Sequence, residues 1–413
     1  MRAECQFAKA GQGLFYNGLL VDNKGQSFSF VYDCGTSDAA NILNHGIADY
    51  KTLIDKRLDL LSISHFHYDH VSHISKLIEG LELGTVVIPF VKPEMRLLLA
   101  AQCKEIEHDD ERIRFYSNPE MYFAAYGAET VVTVIYDENG ADFFNNEEND
   151  NYLKENEINR EDPNRVVMVG NLISQMASDF FNRTKEYRGQ FRLIAPGYHW
   201  EFCFVNLHYD RVQDGFWDEI ATLLGKHNNS FEEILKNKTY TKNLRKIYED
   251  NFGGGLNETS LIMLSKPQNN GRVVTDSCNY EQWESIECSN SNIFNTPCQK
   301  RGHASTLLLG DLSLDSKLVD RYLFRLEKHL PWMPRVIQLP HHGARSKRHP
   351  FYHKICQGCP LPVSLVASYG IKNKYGHPDF SFYKSLYAEE SFWKHIHMEL
   401  VNERREFIYT IAY

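Results

Sequence analysis

The stretch that most constrains this chain is Leu60-Leu61-Ser62-Ile63-Ser64-His65-Phe66-His67-Tyr68-Asp69-His70. An aliphatic run free of Gly and Pro reads as a buried strand, and here it ends in three histidines and one aspartate within six positions. The polar cluster then falls on the loop at the C-terminal end of the strand. Neutral imidazole and carboxylate are ligands for a borderline-soft divalent cation such as zinc, and four of them so close together cannot all be buried without a partner. In an extended backbone His65, His67 and Asp69 project to one side, while His70 turns in from the next step. One cluster can thus feed two metals, His65 and His67 to one, Asp69 and His70 to the other. A lone His-x-His would read as a solvated loop; the full pattern after an apolar strand is far more specific.

His65-x-His67-x-Asp69-His70 resembles the signature of the metallo-β-lactamase fold, a large hydrolase superfamily. The resemblance implies an α/β (α+β) chain, a four-layer αββα metallo-β-lactamase sandwich with one or two metals at its edge. Composition agrees with an ordinary globular protein: 413 residues, 42% hydrophobic and 24% charged. The chain contains no apolar run of about 18 residues and no signal-type apolar core at Met1 to Phe7. A cytoplasmic protein without membrane attachment is the expectation. The nine cysteines are scattered, which suits reduced thiols. Cys356 and Cys359 have CxxC spacing without a second pair, and Cys278, Cys288 and Cys298 share one polar loop. A formal net charge of −9 argues against a surface built for long-range attraction of nucleic acid, but leaves space for a local basic groove.

In chain order, residues 5–34 read as paired strands with turns at Gly11-Gln12-Gly13, Asp22 to Gly25 and Asp33-Cys34-Gly35. Ala39 to Lys56 and Val71 to Leu81 carry helical patterns, and Gly84 to Phe90 is a buried strand. His73 reads as structural. The chain divides into three parts: 1–91, a first half of the domain; 92–255, a largely helical insertion with some strands; and 256–413, the second half. Within the insertion, Pro93 to Glu107, Ser174 to Arg183, Trp217 to Leu224, Phe231 to Leu235 and Thr241 to Asp250 read as helical. Val131 to Tyr136 and Phe202 to Leu207 read as strands, and Asp137 to Asp162 as an acidic excursion.

Later motifs resemble one branch of the superfamily, the soluble hydrolase domain of ComEC-type competence proteins. Gly11-Gln12-Gly13 and Asp33-Cys34-Gly35 resemble its opening turns, the latter implied to support the metal loops. Asn257-Glu258-Thr259-Ser260-Leu261 resembles its Asn-x-x-Ser-Leu element, with Asn257 where most relatives carry a histidine ligand. Asn257 is therefore a candidate to bind a water or substrate oxygen, and His199 and His208 are candidates to fill the missing ligand. Ser305 to Asp311 is an apolar strand ending in Gly-Asp, matching the family's bridging carboxylate. Leu312 to Leu330 reads as a helix. His341-His342-Gly343-Ala344 matches the His-His-Gly-Ser element with Ala344 in place of serine. Adjacent histidines on an extended segment point opposite ways, with His342 taken as ligand and His341 as a catalytic group. Asn373-Lys374-Tyr375-Gly376-His377-Pro378 resembles the terminal element, with His377 placed to protonate a leaving group or stabilise an oxyanion.

Together the motifs imply metal ligands His65, His67, Asp69, His70, Asp311 and His342, catalytic roles for Asp69, His341 and His377, and two divalent ions, zinc first and manganese as the alternative. Two such ions share and acidify a water, so the reaction is hydrolysis by a metal-bridged hydroxide. The resemblance implies a phosphodiesterase or nuclease. Basic residues agree: Arg345, Lys347, Arg348, His349 and Lys354 follow the double histidine, and Lys372 and Lys374 precede His377. Arg345, Lys372, Lys374, Tyr375 and Asn257 are the candidate substrate contacts, with a phosphodiester, DNA or RNA, as partner; a protein partner or homodimer is left open. The alternatives are a hydrolase of a small substrate (nucleotide second messenger, lactone or amide) and a regulatory binding protein of weak catalysis.

Overall fold

The computed structural model describes residues 1–136, 166–175, 183–207, 214–252, 260–268, 272–275, 305–312, 334–344, 363–381 and 396–413. It is a mixed α/β structure dominated by one large sheet. Sixteen strands are hydrogen-bonded into it: β1 (Arg2–Phe7), β2 (Gly13–Val21), β3 (Ser27–Thr36), β4 (Arg57–Ser62), β5 (Glu82–Pro89), β6 (Thr130–Ile135), β7 (Val167–Gln175), β8 (Thr184–Ala195), β9 (Trp200–Leu207), β10 (Ser260–Pro267), β11 (Arg272–Thr275), β12 (Thr306–Leu308), β13 (Val336–Gln338), β14 (Val363–Ser368), β15 (Ile396–Val401) and β16 (Phe407–Ala412). Their order is β11-β16-β1-β2-β3-β4-β5-β6-β8-β9-β10-β12-β13-β14-β15, with β7 paired to β8 off this path.

The sheet contains two blocks of parallel strands. β3, β4, β5, β6 and β8 run parallel, as do β12, β13, β14 and β15. Strands buried on both faces lose the polar alternation of a half-exposed strand, and β4, RLDLLS, and β14, VSLVAS, are buried almost throughout. Antiparallel pairs β8–β9, β9–β10 and β10–β12 join the blocks.

The sheet curls over a shared aromatic interior. Phe28 and Phe30 of β3 lie 6.1 and 5.3 Å from Phe202 of β9, a strand that is not their neighbour along the sheet. Trp200 packs 5.0 Å from Tyr413 in the same interior. A second core lies between the first parallel block and its helices. The helix Ala40–Leu53 contributes Leu43, Ile47 and Tyr50, the spacing of one helical face. Burying aliphatic and aromatic side chains of this size contributes roughly 1.5–3 kcal/mol each.

Several local expectations are revised. Val71 to Leu81 is not one helix but two short pieces, Tyr68–Val71 and Ile74–Ile78. Between them Ser72 Oγ donates to Thr36 O at 3.0 Å and the His73 amide donates to Cys34 O at 3.0 Å, so the chain is tied to the end of β3. His73 is buried beside this tie, its Nδ1 2.9 Å from Ser72 Oγ. Residues 92–255 contribute β6, β7, β8 and β9 as well as helices. Ser174 and Gln175 end strand β7 instead of starting a helix, because Gln175 pairs with Lys185. Pro93 to Glu107 shortens to a helix over Pro93–Gln102 and a separate turn over Ile106–His108.

A helical layer thus covers the first parallel block. The helix expected from Leu312 to Leu330 lies, beyond Leu312, outside the described residues, as do the acidic excursion from Asp137 and all of Cys278, Cys288, Cys298, Cys356 and Cys359. No helix among the described residues is long and apolar enough to cross a membrane.

Gln338 fastens the ends of β12 and β13. Its Oε1 accepts from the amides of Leu309 and Gly310 at 2.7 and 2.8 Å, and its Nε2 donates to the carbonyls of Gly310 and Leu339 at 3.1 and 2.8 Å. Leaving buried amides unpaired costs about 1–3 kcal/mol each. The Gln338→Leu variant should therefore lose about 3 kcal/mol in chemical denaturation; a loss below about 1 kcal/mol would show that other groups take over these bonds.

Candidate metal centre

The C-terminal ends of β3, β4, β12, β13 and β14 meet at one edge of the structure, the end where parallel sheets present their loops. Asp33 comes from β3, His65 to His70 follow β4, Asp311 follows β12, His341 and His342 follow β13, and Ser368 closes β14. Halves separated by more than 200 residues of sequence contribute to one cluster.

Asp33 organises the base of it. Fully buried, it accepts from the Ser64 amide at 2.7 Å, from Ser64 Oγ at 2.6 Å and from His70 Nδ1 at 2.7 Å. Ser64 Oγ in turn lies 2.8 Å from His65 Nδ1. Since its own proton goes to Asp33, it accepts from His65. Close approach requires glycine at Gly35, where a Cβ would stand 2.5 Å from the carbonyl carbon of His70.

Ligand atoms of Asp69, His70, Asp311 and His342 lie within 4.8 Å of one another, as do those of His65, His67 and Asp311. Asp311 belongs to both groups. Its Oδ1 is 3.1 Å from His70 Nε2, and its Oδ2 is 2.9 Å from His341 Nδ1 and 3.7 Å from His65 Nε2. His65 Nε2 and His67 Nδ1 are 3.0 Å apart. Across the cluster His342 Nε2 is 3.0 Å from Asp69 Oδ2, while its Nδ1 donates to Ser368 O at 2.7 Å.

These contacts test whether the residues suit a cation. A carbonyl only accepts, so the His342 Nδ1 carries hydrogen and its Nε2 is the nitrogen turned to the Asp69 carboxylate. His70 is arranged in the same way: Nδ1 serves Asp33, and Nε2 faces Asp311. His70 Nε2 and Asp311 Oδ1 are both buried and neither makes a hydrogen bond. Lone pairs pressed together in the interior are costly unless a positive charge sits between them. The donor set, imidazole and carboxylate, fits a divalent ion of zinc type.

Protonation obeys the same logic. A proton can supply that positive charge: burial opposes a charged imidazole, yet Asp311 and Asp33 outweigh it and hold His70 well above the usual histidine range. Burial also works against His341, and Asp311 again raises it. Burial, with the His70 charge beside it, pushes His65 well down, and burial lowers His67. Asp69 and Asp311, despite burial, are held below the ordinary carboxylate range, chiefly by His342 and by His70 respectively. Burial and the neighbouring His341 and His342 bring His377 down to about 4.

Two conformational expectations are corrected. Tyr68–Val71 is a helical turn, so Asp69 and His70 reach the cluster by turning and not by alternation along a strand. His341 and His342 are not extended either; both are left-handed, at φ 50° and 56°. The turn still separates them: His342 is buried and faces Asp69, while His341 is part-exposed beside Asp311 and 5.0 Å from the His377 ring.

Of the other candidates, His377, Tyr375, Lys372 and Lys374 share the turn after β14. Asn373 shapes it, donating to Gly370 O and His377 O at 2.6 Å each and accepting from the amides of Tyr375 and His377. Lys372, Lys374 and Tyr375 are all exposed. Asn257, His208 and the basic residues Arg345, Lys347, Arg348, His349 and Lys354 lie outside the described residues. His199 sits at the start of β9, and the register Leu207 with Ser260 puts the other end of that strand at the cluster. A strand of that length spans roughly 23 Å, so His199 does not supply the missing ligand.

The sequence alone did not single out Ser64 or Gln338 for the cluster, and Ser260 entered only as part of the Asn-x-x-Ser-Leu resemblance. Serines inside apolar strands look like ordinary strand residues; only their hydrogen-bond partners reveal them. Ser260 Oγ accepts from the Asp311 amide at 3.1 Å.

Neither a family model nor a curated protein matches this sequence. Among solved structures, one similar chain is the metallo-β-lactamase fold protein YhfI from Bacillus subtilis, at 8% identity and a TM-score of 0.35 over 98% of this chain and 99% of that one.

Gly310 offers a direct test of the packing under Asp311. It has φ 56°, and a Cβ there would stand 2.7 Å from Ser64 Cβ and 2.8 Å from Ser260 Oγ. Left-handed strain alone is about 1–3 kcal/mol. Gly310→Ala should lower stability by about 2 kcal/mol or more in thermal or urea unfolding, and an unchanged midpoint would contradict this geometry.

Proposed function

We propose that this chain is a dinuclear metal-dependent hydrolase of metallo-β-lactamase type that cleaves phosphodiesters, with nucleic acid as the substrate class. The observation that carries the reading is the pair of ligand groups sharing Asp311, with His70 Nε2 and Asp311 Oδ1 buried and lacking hydrogen bonds. His65, His67 and Asp311 would hold one ion, and Asp69, His70, Asp311 and His342 the other. When bound, such ions supply Lewis acidity and acidify a water molecule; zinc suits the donors best and manganese is the alternative.

The chain's own groups then divide the remaining work. Asp69, with one carboxylate edge against His342, orients the attacking water by accepting its proton. His341, part-exposed beside Asp311, donates to a substrate oxygen. His377, on a turn fixed by Asn373 and Pro378, presents its imidazole to the leaving oxygen; its Nδ1 is buried without a hydrogen-bond partner. A preorganised donor at that point stabilises charge as it develops.

Support for a phosphodiester comes from the same turn. Lys372 and Lys374 are exposed, and Tyr375, 70% exposed, stacks on His377 at 5.7 Å, so a cationic and aromatic surface adjoins the ligands. Cations suit phosphate oxygens, and an exposed ring suits a base. Asn257 and Arg345 complete the proposed substrate contacts from sequence alone.

Two experiments test this. Purified protein with zinc or manganese should cleave a generic aryl phosphodiester and single-stranded DNA or RNA, and Asp69→Ala or Asp311→Ala should each reduce turnover at least about a hundredfold while circular dichroism is retained. Cleavage of the generic ester without polymer cleavage would move the substrate to a small molecule, and absence of both metal and turnover would leave a binding protein. Separately, Lys372→Ala with Lys374→Ala should raise KM for the polymer about tenfold, the loss of roughly one charge-assisted contact, while leaving KM for the generic ester within about twofold.

A further inference from the structure

Each of the cluster's buried histidines needs something to hold the ring nitrogen that faces away from the ligand point, because that bond selects the tautomer and the ring angle. For three of them the holder comes from strand ends at the cluster itself. Ser64 Oγ holds His65, Asp33 holds His70 and the Ser368 carbonyl holds His342. For His67 it comes from elsewhere. The His67 Nδ1 faces His65 Nε2, and its Nε2 points to the hydroxyl of Tyr248, 3.5 Å away and 181 residues on.

Tyr248 lies on the helix Lys238–Phe252, within the stretch read from the sequence as a largely helical insertion. The helix is docked firmly enough to aim it. Leu244 and Tyr248, four apart, are buried in the core under the first parallel block. Between them Arg245 donates through Nε to Ala101 O and through Nη2 to Cys103 O at 2.9 Å, gripping the end of the helix Pro93–Gln102. Tyr248 is only 5% exposed, so its ring is held in the core beside the cluster.

We propose that Tyr248 is a positioning residue for the proposed metal centre: its hydroxyl oxygen accepts the Nε2 hydrogen of His67, which turns the Nδ1 lone pair toward the ion shared with His65. This inference rests on the metal reading above. It makes the inserted helices part of the first metal site, and not solely a cover over it. A contact of 3.5 Å is at the long end for a hydrogen bond.

Tyr248→Phe removes one oxygen and keeps the ring. Zinc affinity is measured by competition with a chromogenic chelator on wild type, Tyr248→Phe and Asp311→Ala, with the thermal midpoint of each metal-free protein as the folding control. The expected result is two ions in wild type, a fall of about 10–100-fold in the affinity of one ion in Tyr248→Phe, and loss of both in Asp311→Ala, the Phe variant melting within about 2 °C of wild type. Nitrogen-15 NMR of the zinc-loaded protein supplies a second readout: the His67 Nε2 hydrogen should exchange slowly in wild type and rapidly in Tyr248→Phe. Two equally tight ions and an unchanged His67 signal in Tyr248→Phe overturn this inference and leave the metal reading standing. A wild type that takes up no zinc and no manganese overturns both.

Discussion

Much of this structure depends on the buried carboxylate of Asp311. It is 2% exposed and has His70, His341 and His65 around it. A carboxylate taken out of water is tolerated only with compensating positive charge and hydrogen bonds. His70 comes from the first half of the chain, and His341 from the second. The charge on one side chain therefore holds the ends of two parallel strand blocks together, and whatever positive charge occupies the cluster stabilises the junction.

The second half of the cluster is also held under backbone strain. Two consecutive residues with side chains, His341 and His342, are left-handed, a conformation costing about 1–3 kcal/mol each. Neighbouring bonds enforce it. The His341 amide donates to Gly310 O at 3.2 Å, the Ala344 amide to His341 O at 2.9 Å, and the Asp379 amide to Gly343 O at 2.9 Å. Gln338 closes the same region from below. The strained turn lets one histidine stay buried against Asp69 while its neighbour faces the turn that carries His377, and an extended backbone would not allow both to remain at the cluster.

The helices between the two strand blocks have a comparable part. The cores show them packed on the first block, with Phe231, Ile234, Leu235, Leu244 and Tyr248 in the same apolar cluster as Leu97 and Leu98 of Pro93–Gln102. Packing of this kind fixes a helix to within a fraction of an ångström, since interiors are close-packed. A phenol carried on such a helix is aimed as reliably as a residue on a strand. The histidine cluster thus draws its supporting groups from three distant stretches of chain.

The amino-acid sequence by itself determined the strand that ends in His65, His67, Asp69 and His70, the strand that ends in Gly310-Asp311, and the double histidine after β13, because apolar runs and ligand-type residues are local patterns. The family resemblance implied that Asp33-Cys34-Gly35 supports the metal loops, and Asp33 does hold Ser64 and His70, but the three residues lie within strand β3 and not in the expected turn. The sequence misjudged the end of β7 and the single helix after His70, where pairing and ties to the end of β3 overrode periodicity. Only the tertiary structure decided that His341 and His342 separate by left-handed turning and that Tyr248 reaches His67. Those facts depend on long-range packing and on which buried polar atoms are left to face each other, and no spacing along the chain encodes either.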